Sequence, residues 1–522
     1  MTNRITPFFR LNTADQLKES FDEPSPTRLY MFMGGVTPFA NDSSPPAVTN
    51  NQFTTEFNIY RDMVALKRIN SADIISIAPR YNWTNNTVYT EYNDRTANLY
   101  DRQFYVLTSE NNVYKCIDNN RGAVSTEEPS GISTSVVSTA DGYRWKFLFA
   151  ITTADAQKFL NSTYIPVRQL TANNGSAQWS VQQAAANGTI DHVLVTANGS
   201  GYISTSNTFL SVTNSTTVRL ATNALQIDGA YTGSTLYISA GLGVGQLRRI
   251  VKYVGTGRVV TVNSAFTITP NTSSIYSVAP SVIIRGDSGA TASIRATAHV
   301  SNTLGGQVRK ITMITNGRSY GEANVAIIAN SSYGSGAIAQ AIISPRGGHG
   351  SNARNELYAK DLMLSVSVTG GESNTFPTNN DFRTIGIIRD PKLRSGPVAN
   401  ASVIDQCHRI VLQNVSGDYT ADEIVTGGTS GAKARVVYFA NTNSARTKGV
   451  LRVVRLTTNG IGGGFAQTES LTSSSSGVTA TIINAIKPAV RENTGDVLYI
   501  ESNQPIVRKP DQLEEFRFVV TF

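Results

Sequence analysis

Apolar residues recur at every second position in the last stretch of the chain, at Phe516, Phe518, Val520 and Phe522. This spacing sends one row of side chains to a core, as a half-buried β-strand requires. Burial of several aromatic side chains contributes about 1.5–3 kcal/mol each. The pattern therefore predicts a docked strand whose core is completed by residues far upstream.

Similar alternation predicts further strands at residues 74–77, 104–107, 113–117, 382–388 and 497–500. The stretch DGYRWKFLFAI at 141–151 predicts a turn followed by a strand dense in aromatic residues. The connection 503–513 contains Pro505 and Pro510. Because proline cannot donate a hydrogen bond to a sheet, we expect a loop there.

Three segments carry helix signals. Thr13 followed by Gln16 matches a capping box and predicts a short helix. Apolar residues at intervals of three and four predict a helix over 53–69. Thr153 is predicted to cap a short helix that ends near Leu160.

Residues 169–345 differ in texture, because Gly, Ser, Thr, Asn and small β-branched residues dominate and helical periodicity disappears. The motif Asn-Gly-x-x-Tyr occurs there twice, at 198–202 and 316–320, an offset of 118. The motif Ser-Gly-Ala-x-Ala occurs at 288–292, 335–339 and 430–434, with a variant at 476–480. A second copy pair, at offset 46, aligns Tyr419 with Phe465 and Glu423 with Glu469. Such repeats predict small stacked β units.

The changes in texture predict one discontinuous domain with two insertions. The core domain is expected to comprise residues 1–168, 346–400 and 485–522, and the β-repeat insertions residues 169–345 and 401–484. The expected fold class is mainly β, a β-rich α+β arrangement in which a mixed core is interrupted by two β-sandwich-like insertions. The third core segment holds the terminal strands.

Composition narrows the classes of partner. The 522 residues are 40% hydrophobic with a formal net charge of +8. Residues 169–345 carry 10 Lys or Arg against 4 Asp or Glu, but these basic residues are sparse and do not form the stripe typical of nucleic-acid binding. No apolar run approaches the ~18 residues of a membrane helix, and the start shows no export signal. We therefore expect neither a nucleic-acid nor a membrane partner.

The inventory of reactive residues predicts no metal or cofactor. Cys116 and Cys407 are far apart and the four histidines are scattered, which excludes a disulfide framework and does not predict a Cys/His zinc site. Gly241-Leu-Gly-Val-Gly245 lacks the ending of a phosphate-binding loop, so a turn between strands is expected. His349, in Gly-Gly-His-Gly, could transfer protons, although a tight interdomain turn explains it better.

The remaining candidates have structural explanations too. Glu514-Glu515 and Glu127-Glu128 are adjacent pairs, and neighbours on a strand point to opposite faces, so neither pair can act on one bond. The aromatic residues of 141–151 could stack on sugars, but a core strand is expected. Cys407-His408 has no partner ligands nearby and is expected to be structural. We therefore predict no catalytic, cofactor-binding or metal residues, no cofactor, and no enzyme activity.

Four segments, in order, resemble one family. Three are short: Pro79-Arg80 with Trp83; Asp141-Gly142-Tyr143 with Trp145, Leu148, Phe149 and Ile151; and Phe382-Arg383 with Ile385 and Ile387. The fourth contains Gly495, Tyr499, Glu501, Pro505, Ile506, Asp511, Gln512, Glu514, Glu515, Thr521 and Phe522. Together they resemble the baseplate wedge protein of T4-like contractile-tailed phages, the product of gene eight. Both β insertions depart from that family.

The resemblance implies a virion structural subunit, assembled in the host cytoplasm and located in the tail baseplate. It implies a homodimer that contacts other wedge subunits, the products of genes six, seven and ten in T4-type phages. The leading hypothesis is therefore an assembly scaffold acting through protein–protein contacts. The alternative is a host-receptor or glycan-binding tail protein that uses the β insertions. A tail-borne polysaccharide-degrading enzyme is disfavoured, because residues 169–345 contain only four acidic side chains.

Overall fold

A computed structural model describes residues 5–48, 53–287, 295–372, 375–457 and 464–522. The chain divides into two compact units. Unit 1 comprises Met1–Ile77 with Lys360–Phe522, and unit 2 comprises Ala78–Ala359.

Strands dominate both units, as the sequence predicts for a mainly β fold. The helices are α1 (Pro7–Glu19), α2 (Phe53–Asp62), α3 (Thr153–Phe159), α4 (Ala177–Ala184) and α5 (Ala353–Glu356). The first strands are β1 (Leu29–Gly34), β2 (Met63–Ile69), β3 (Ile74–Pro79), β4 (Tyr105–Leu107), β5 (Asn112–Asp118), β6 (Val137–Ser138), β7 (Arg144–Ala150), β8 (Tyr164–Val167), β9 (Ile190–Ser200), β10 (Thr205–Thr208), β11 (Ser211–Val212), β12 (Thr217–Arg219), β13 (Thr235–Ala240), β14 (Leu247–Val254), β15 (Val259–Val262) and β16 (Ile275–Ala279).

The later strands follow in the same order. They are β17 (Ser281–Gly286), β18 (Thr297–Leu304), β19 (Gln307–Thr315), β20 (Ala323–Ile328), β21 (Ser335–Ile343), β22 (Asp361–Thr369), β23 (Phe382–Arg389), β24 (Val403–Asp405), β25 (His408–Gln413), β26 (Ile424–Gly427), β27 (Lys433–Asn441), β28 (Lys448–Arg455), β29 (Ser470–Ser473), β30 (Thr479–Ile486), β31 (Asp496–Ile506) and β32 (Leu513–Val520).

Unit 1 contains a five-stranded antiparallel sheet in the order β24-β2-β1-β23-β31. The central strand β1 is buried on both faces, because Met31 and Met33 pack into one core while Tyr30 and Phe32 pack into another. This alternation is the period of two expected of a strand. β22 pairs with β3 on one side and with β32 on the other, and its apolar residues join the core that holds Met31.

Strands β25 to β30 of unit 1 close into a barrel in the order β25-β28-β27-β26-β29-β30. The two copies at offset 46 supply equivalent parts, since β26 and β27 of one copy correspond to β29 and β30 of the other. β26 and β29 pair directly, so the copies meet along equivalent strands. The second insertion therefore forms a closed barrel and not the predicted sandwich-like unit. The barrel closes because β25, the first strand, pairs with β30, the last.

Unit 2 contains three groups of strands. The sheet β4-β5-β7-β6 packs with α4 around fully buried Tyr143, Trp145 and Phe147. The pair β21-β9 and the sheet β19-β18-β17-β20 share a second core. A seven-stranded sheet, β10-β16-β13-β14-β15-β12-β11, covers a third.

The two Asn-Gly-x-x-Tyr motifs adopt the same local structure. Gly199 and Gly317 both have φ of 62°, a left-handed conformation that glycine adopts without steric cost. The hydroxyl of Tyr202 accepts a hydrogen bond from Ala337 N–H at 3.2 Å, and that of Tyr320 accepts one from Ala296 N–H at 2.8 Å. The first bond joins the tyrosine motif to the Ser-Gly-Ala-x-Ala motif at 335–339. The motif at 288–292 lies outside the described residues.

Several local predictions are confirmed. The predicted strands at 74–77 and 382–388 correspond to β3 and β23, and those at 104–107 and 113–117 pair as β4 and β5. The predicted short helix is present as α3, but it begins at Thr153, so its N-cap is Thr152 and not Thr153 as predicted.

Other predictions are wrong, for identifiable reasons. The first helix begins at Pro7 and not near Thr13, because proline suits the first helical turn. The predicted helix over 53–69 ends at Asp62, and Met63–Ile69 forms β2, since it lies between β1 and β24. The described part of 169–345 contains a helix that was not predicted, α4, which Ser176 caps by accepting a hydrogen bond from Trp179 N–H.

The predicted loop at 503–513 is also shorter than expected. β31 continues to Ile506 and includes Pro505. An edge strand tolerates proline, because one row of its N–H groups is not needed for the ladder.

The division into units differs from the predicted domain boundaries. Residues 78–168 and 346–359 belong to unit 2 together with 169–345. Arg144 Nη1 donates to Asp191 O at 2.8 Å, and Gly347 N–H donates to Asn187 Oδ1 at 2.9 Å. Contacts of this kind cross the predicted boundaries at 168 and 345, which a change in composition along the chain does not reveal.

Candidate functional site

β31 and β32 of unit 1 are exposed or half-buried along almost their whole length, since Glu514 is the one buried residue of the two strands. β31 is 11 residues long and lies at one end of its sheet, paired with β23. Within the described part of the chain, no strand pairs with its other edge. An open edge presents unpaired N–H and C=O groups that can pair with another chain.

The two strands and the connection between them expose large apolar side chains. The exposed fractions are 51% for Leu498, 43% for Tyr499, 61% for Val507, 57% for Leu513 and 38% for Val519. We call these five residues the edge-strand surface. Exposed apolar surface is typical of protein-binding regions.

The edge-strand surface rests on a fixed base. The Tyr499 and Phe518 rings are in edge contact with centroids 5.7 Å apart. Arg508 Nε donates to both carboxylate oxygens of Glu514, at 2.9 and 2.7 Å, and these side chains are only 2% and 7% exposed. Phe516, Phe518, Val520 and Phe522 pack at the margin of the core and are partly buried. The predicted docking of the terminal strand is thus confirmed, with its apolar row half-buried.

A different cluster lies inside unit 2, on three separate elements. Glu91 lies in the connection before β4, Asp118 ends β5, and His192 lies in β9. His192 Nδ1 is 3.6 Å from Asp118 Oδ2, and its Nε2 is 3.7 Å from Glu91 Oε2. Among the described residues, this is the one group of three or more His, Cys, Asp or Glu side chains with ligand atoms close enough to share a metal ion.

Burial governs the electrostatics of this cluster. Burial raises the pKa of Glu91 to about 7. The hydrogen bond from Asn119 N–H lowers this pKa, and the Asp118 carboxylate raises it further. Burial also lowers the pKa of His192 to about 4 in spite of that carboxylate. Neither ring nitrogen of His192 has a hydrogen-bond partner, although both are buried. An unsatisfied buried donor costs about 1–3 kcal/mol, so this histidine is costly as it stands.

Sequence reasoning missed this cluster because its members are separated by 27 and 74 positions in the chain. One signal was present in the repeat at offset 118. His192 aligns with Lys310, and the Lys310 ammonium is itself 4.0 Å from Asp118 Oδ2. Polar side chains at an equivalent strand position in both copies mark a shared polar pocket.

The carboxylate pairs considered from the sequence do not converge. Glu514 is buried with Arg508, whereas Glu515 is exposed and lies 2.8 Å from Arg517 Nη2, so the two point to opposite faces as predicted. Glu127 is exposed and Glu128 is half-buried. Glu128 accepts hydrogen bonds from Ser109 N–H and Oγ–H at 2.7 and 2.9 Å, a structural role.

The other candidates are structural as well. Gly241, Gly243 and Gly245 have positive φ values of 82°, 82° and 87° in the turn between β13 and β14. His349 is 5% exposed, with Nε2 3.6 Å from Asp191 Oδ2 and its ring against Tyr92. It is therefore not presented to solvent.

Cys407 is a buried free thiol, and burial raises its pKa. Neighbouring His408 begins β25, and burial lowers its pKa to about 3. Among the residues of 141–151, the aromatic side chains from Tyr143 to Phe149 are fully or almost fully buried, which confirms the core prediction.

Comparison with known proteins adds no relative. The chain matches no protein-family model, and a search of curated proteins finds no significant match. None of the helices that the structure describes has the length and apolar character needed to cross a membrane.

Proposed function

We propose that the protein is a structural subunit of the baseplate wedge of a contractile phage tail and acts as an assembly scaffold through protein–protein contacts. The observation that carries the proposal is the edge-strand surface, an open strand edge flanked by exposed apolar side chains on a fixed base. The choice of a baseplate wedge as the assembly rests on the family resemblance of the four sequence segments. The proposed role is mechanical and involves no catalysis.

A second copy of the chain fits the edge-strand surface best. Two copies of one edge can pair antiparallel about a two-fold axis, because such an interface uses the same patch on both subunits. Backbone hydrogen bonds would then provide affinity, and the flanking side chains would fix the register of the two strands. Leu498 and Tyr499 would leave solvent in such a dimer, which accounts for their present exposure.

Two of the four segments that carry the family resemblance lie in the strands that form this region. The last segment forms β31 and β32, and Phe382, Ile385 and Ile387 belong to β23, which pairs with β31. In a wedge, the dimer would be repeated around the tail and would contact other wedge subunits through further surfaces. The proposed location of the protein is therefore the virion, in the tail baseplate.

The first test is the oligomeric state of the Leu498→Lys variant. We expect the wild-type chain to dimerise and the variant to weaken the dimer at least about tenfold, because the substitution buries a charge in the interface. Sedimentation equilibrium across a concentration series measures both constants. Leu304→Lys is the control, since Leu304 is 67% exposed on unit 2 and should leave the dimer unchanged. Equal dimer constants for the two variants would contradict this interface.

The second test locates the protein in tails. Stoichiometry and reconstruction of purified tails should show the chain in pairs at the baseplate, repeated around the tail axis. Isolated monomers at fibre tips, with a glycan bound to residues 169–345, would instead support the receptor-binding alternative. A dimer in solution that is absent from the baseplate would retain the interface and reject the wedge.

A further inference from the structure

We propose that Glu91, Asp118 and His192 form a binding site for one divalent transition-metal cation of the Zn²⁺ class, which holds unit 2 together at this point. The inference is independent of the proposed function, because it concerns only side chains inside unit 2.

His192 is the observation that points to a ligand. The residue is 7% exposed, and both of its ring nitrogens are buried without any hydrogen-bond partner. Buried polar groups in proteins are nearly always paired. The two nitrogens face Asp118 and Glu91 at 3.6 and 3.7 Å, which is too far for a hydrogen bond.

One ion can bind only one of the two ring nitrogens, so the fit is judged from one ligand atom of each residue. Zinc lies about 2.0–2.2 Å from nitrogen and oxygen ligands, so ligand atoms around a tetrahedral ion are about 3.4 Å apart. One ligand atom from each of the three residues lies within 4.8 Å of the other two, and small side-chain rotations close the difference. A cavity of about 20 Å³ adjoins them, which is room for a single ion or water.

The donor set selects the kind of metal. The imidazole favours a transition-metal ion such as Zn²⁺, which binds nitrogen and carboxylate oxygen, whereas Mg²⁺ and Ca²⁺ prefer oxygen ligands alone. Three protein ligands leave a fourth position, which a water molecule in the cavity would fill. The ion would connect β5, β9 and the connection before β4, three parts of unit 2 that are distant in sequence.

The basic residues around the cavity are expected to limit the affinity of the site for a metal cation. Lys310 Nζ is 4.0 Å from Asp118 Oδ2, and Arg121 and Arg309 also line the cavity. The Lys310 side chain is 37% exposed, so its ammonium can turn to solvent when a cation binds. Lys310 is thus expected to compete with the metal for Asp118.

Titration of the chelator-treated full-length chain with ZnCl₂ tests the site, with calorimetry as the readout. We expect one Zn²⁺ per chain, and Co²⁺ in its place should give the visible absorption of a tetrahedral ion. His192→Gln should weaken Zn²⁺ binding more than about 100-fold, because even loss of a residue behind a ligand costs about 10- to 100-fold. His408→Gln is the matched control and should bind Zn²⁺ as the wild type does.

A second variant guards against a simple folding defect. Lys310→Met removes the competing ammonium and should strengthen Zn²⁺ binding severalfold while keeping the ligands. Zn²⁺ should also raise the melting temperature of the wild type but not that of His192→Gln. A wild-type chain that binds no Zn²⁺, or equal binding by His192→Gln and the wild type, would overturn the proposal.

Discussion

Replacement of Glu514 by alanine is expected to lower the free energy of unfolding of unit 1 by about 3–5 kcal/mol. The reason is that Arg508, whose side chain is 2% exposed, would keep its charge in the interior without its carboxylate. Arg508 Nη1 and Nη2 would retain their bonds to Pro377 O and Thr369 O, at 3.0 and 3.3 Å, but neither acceptor carries a charge. Urea unfolding followed by far-ultraviolet circular dichroism measures the change.

The adjacent residue provides a matched control. Glu515 is exposed and pairs with Arg517 at the surface, so Glu515→Ala should change stability by less than about 1 kcal/mol. The double variant Arg508→Met/Glu514→Leu removes both charges and should recover most of the lost stability. If Glu514→Ala and Glu515→Ala unfold at the same urea concentration, the buried pair is not what anchors β32.

The barrel of unit 1 is expected to lose stability when its two copied carboxylates are neutralised. Glu469 accepts hydrogen bonds from Thr429 N–H at 3.0 Å, from Ser430 N–H and Oγ–H at 2.8 Å each, and from Ala466 N–H at 2.6 Å. Glu423 accepts from Ser473, Ser475, Ser476 and Thr420. Each glutamate thus binds the turn of the other copy that contains the Ser-Gly pair.

Because hydrogen bonds to a charged group contribute about 1.5–3 kcal/mol, Glu423→Gln and Glu469→Gln should each cost about that much. The double variant should cost roughly twice as much, and differential scanning calorimetry at pH 7 measures the loss. Glu492→Gln is the control, since Glu492 lies at the surface 3.7 Å from Arg394. A double variant that melts with the wild type would show that the turns do not need the charges.

The same two residues predict a dependence on pH. Burial alone would raise the pKa of Glu423 and of Glu469, but the hydrogen bonds outweigh it and hold both below the ordinary 4.5. A carboxyl with a lowered pKa in the folded state adds stability above pH 4.5, and this is lost as the pH falls through the lowered value. Between pH 5 and 3, the wild type should therefore lose more stability than the double glutamine variant.

The sequence predicted strands well where the period of two was strong. Phe382–Arg389 and the pair β4-β5 appear as expected, because their alternation reflects a buried and a less buried face. It failed at 63–69, where Met63 to Leu66 are all buried and the strand therefore has no polar face to reveal its period. Only the neighbours β1 and β24 decide that this segment is a strand, and they are distant in sequence.

The candidate sites also divide into features that follow from local sequence and features that depend on residues distant in the chain. The docking of Phe516 to Phe522 could be predicted, since it follows from local alternation. The open edge of β31 could not, because strand order depends on pairing with β23. The cluster around His192 depends on three elements at once, and neither Glu91 nor Asp118 is distinctive within its own segment.

The barrel begins and ends on neighbouring strands, since Arg409 of β25 is paired with Ile486 of β30. Paired residues of adjacent strands lie about 5 Å apart. The chain therefore enters and leaves the barrel at two points that are about this distance apart. A short turn could bridge the same gap. The barrel can therefore be gained or lost during evolution without a break in the neighbouring sheets, provided that the core places of Val437 and Val454, which pack with Met31, are filled again.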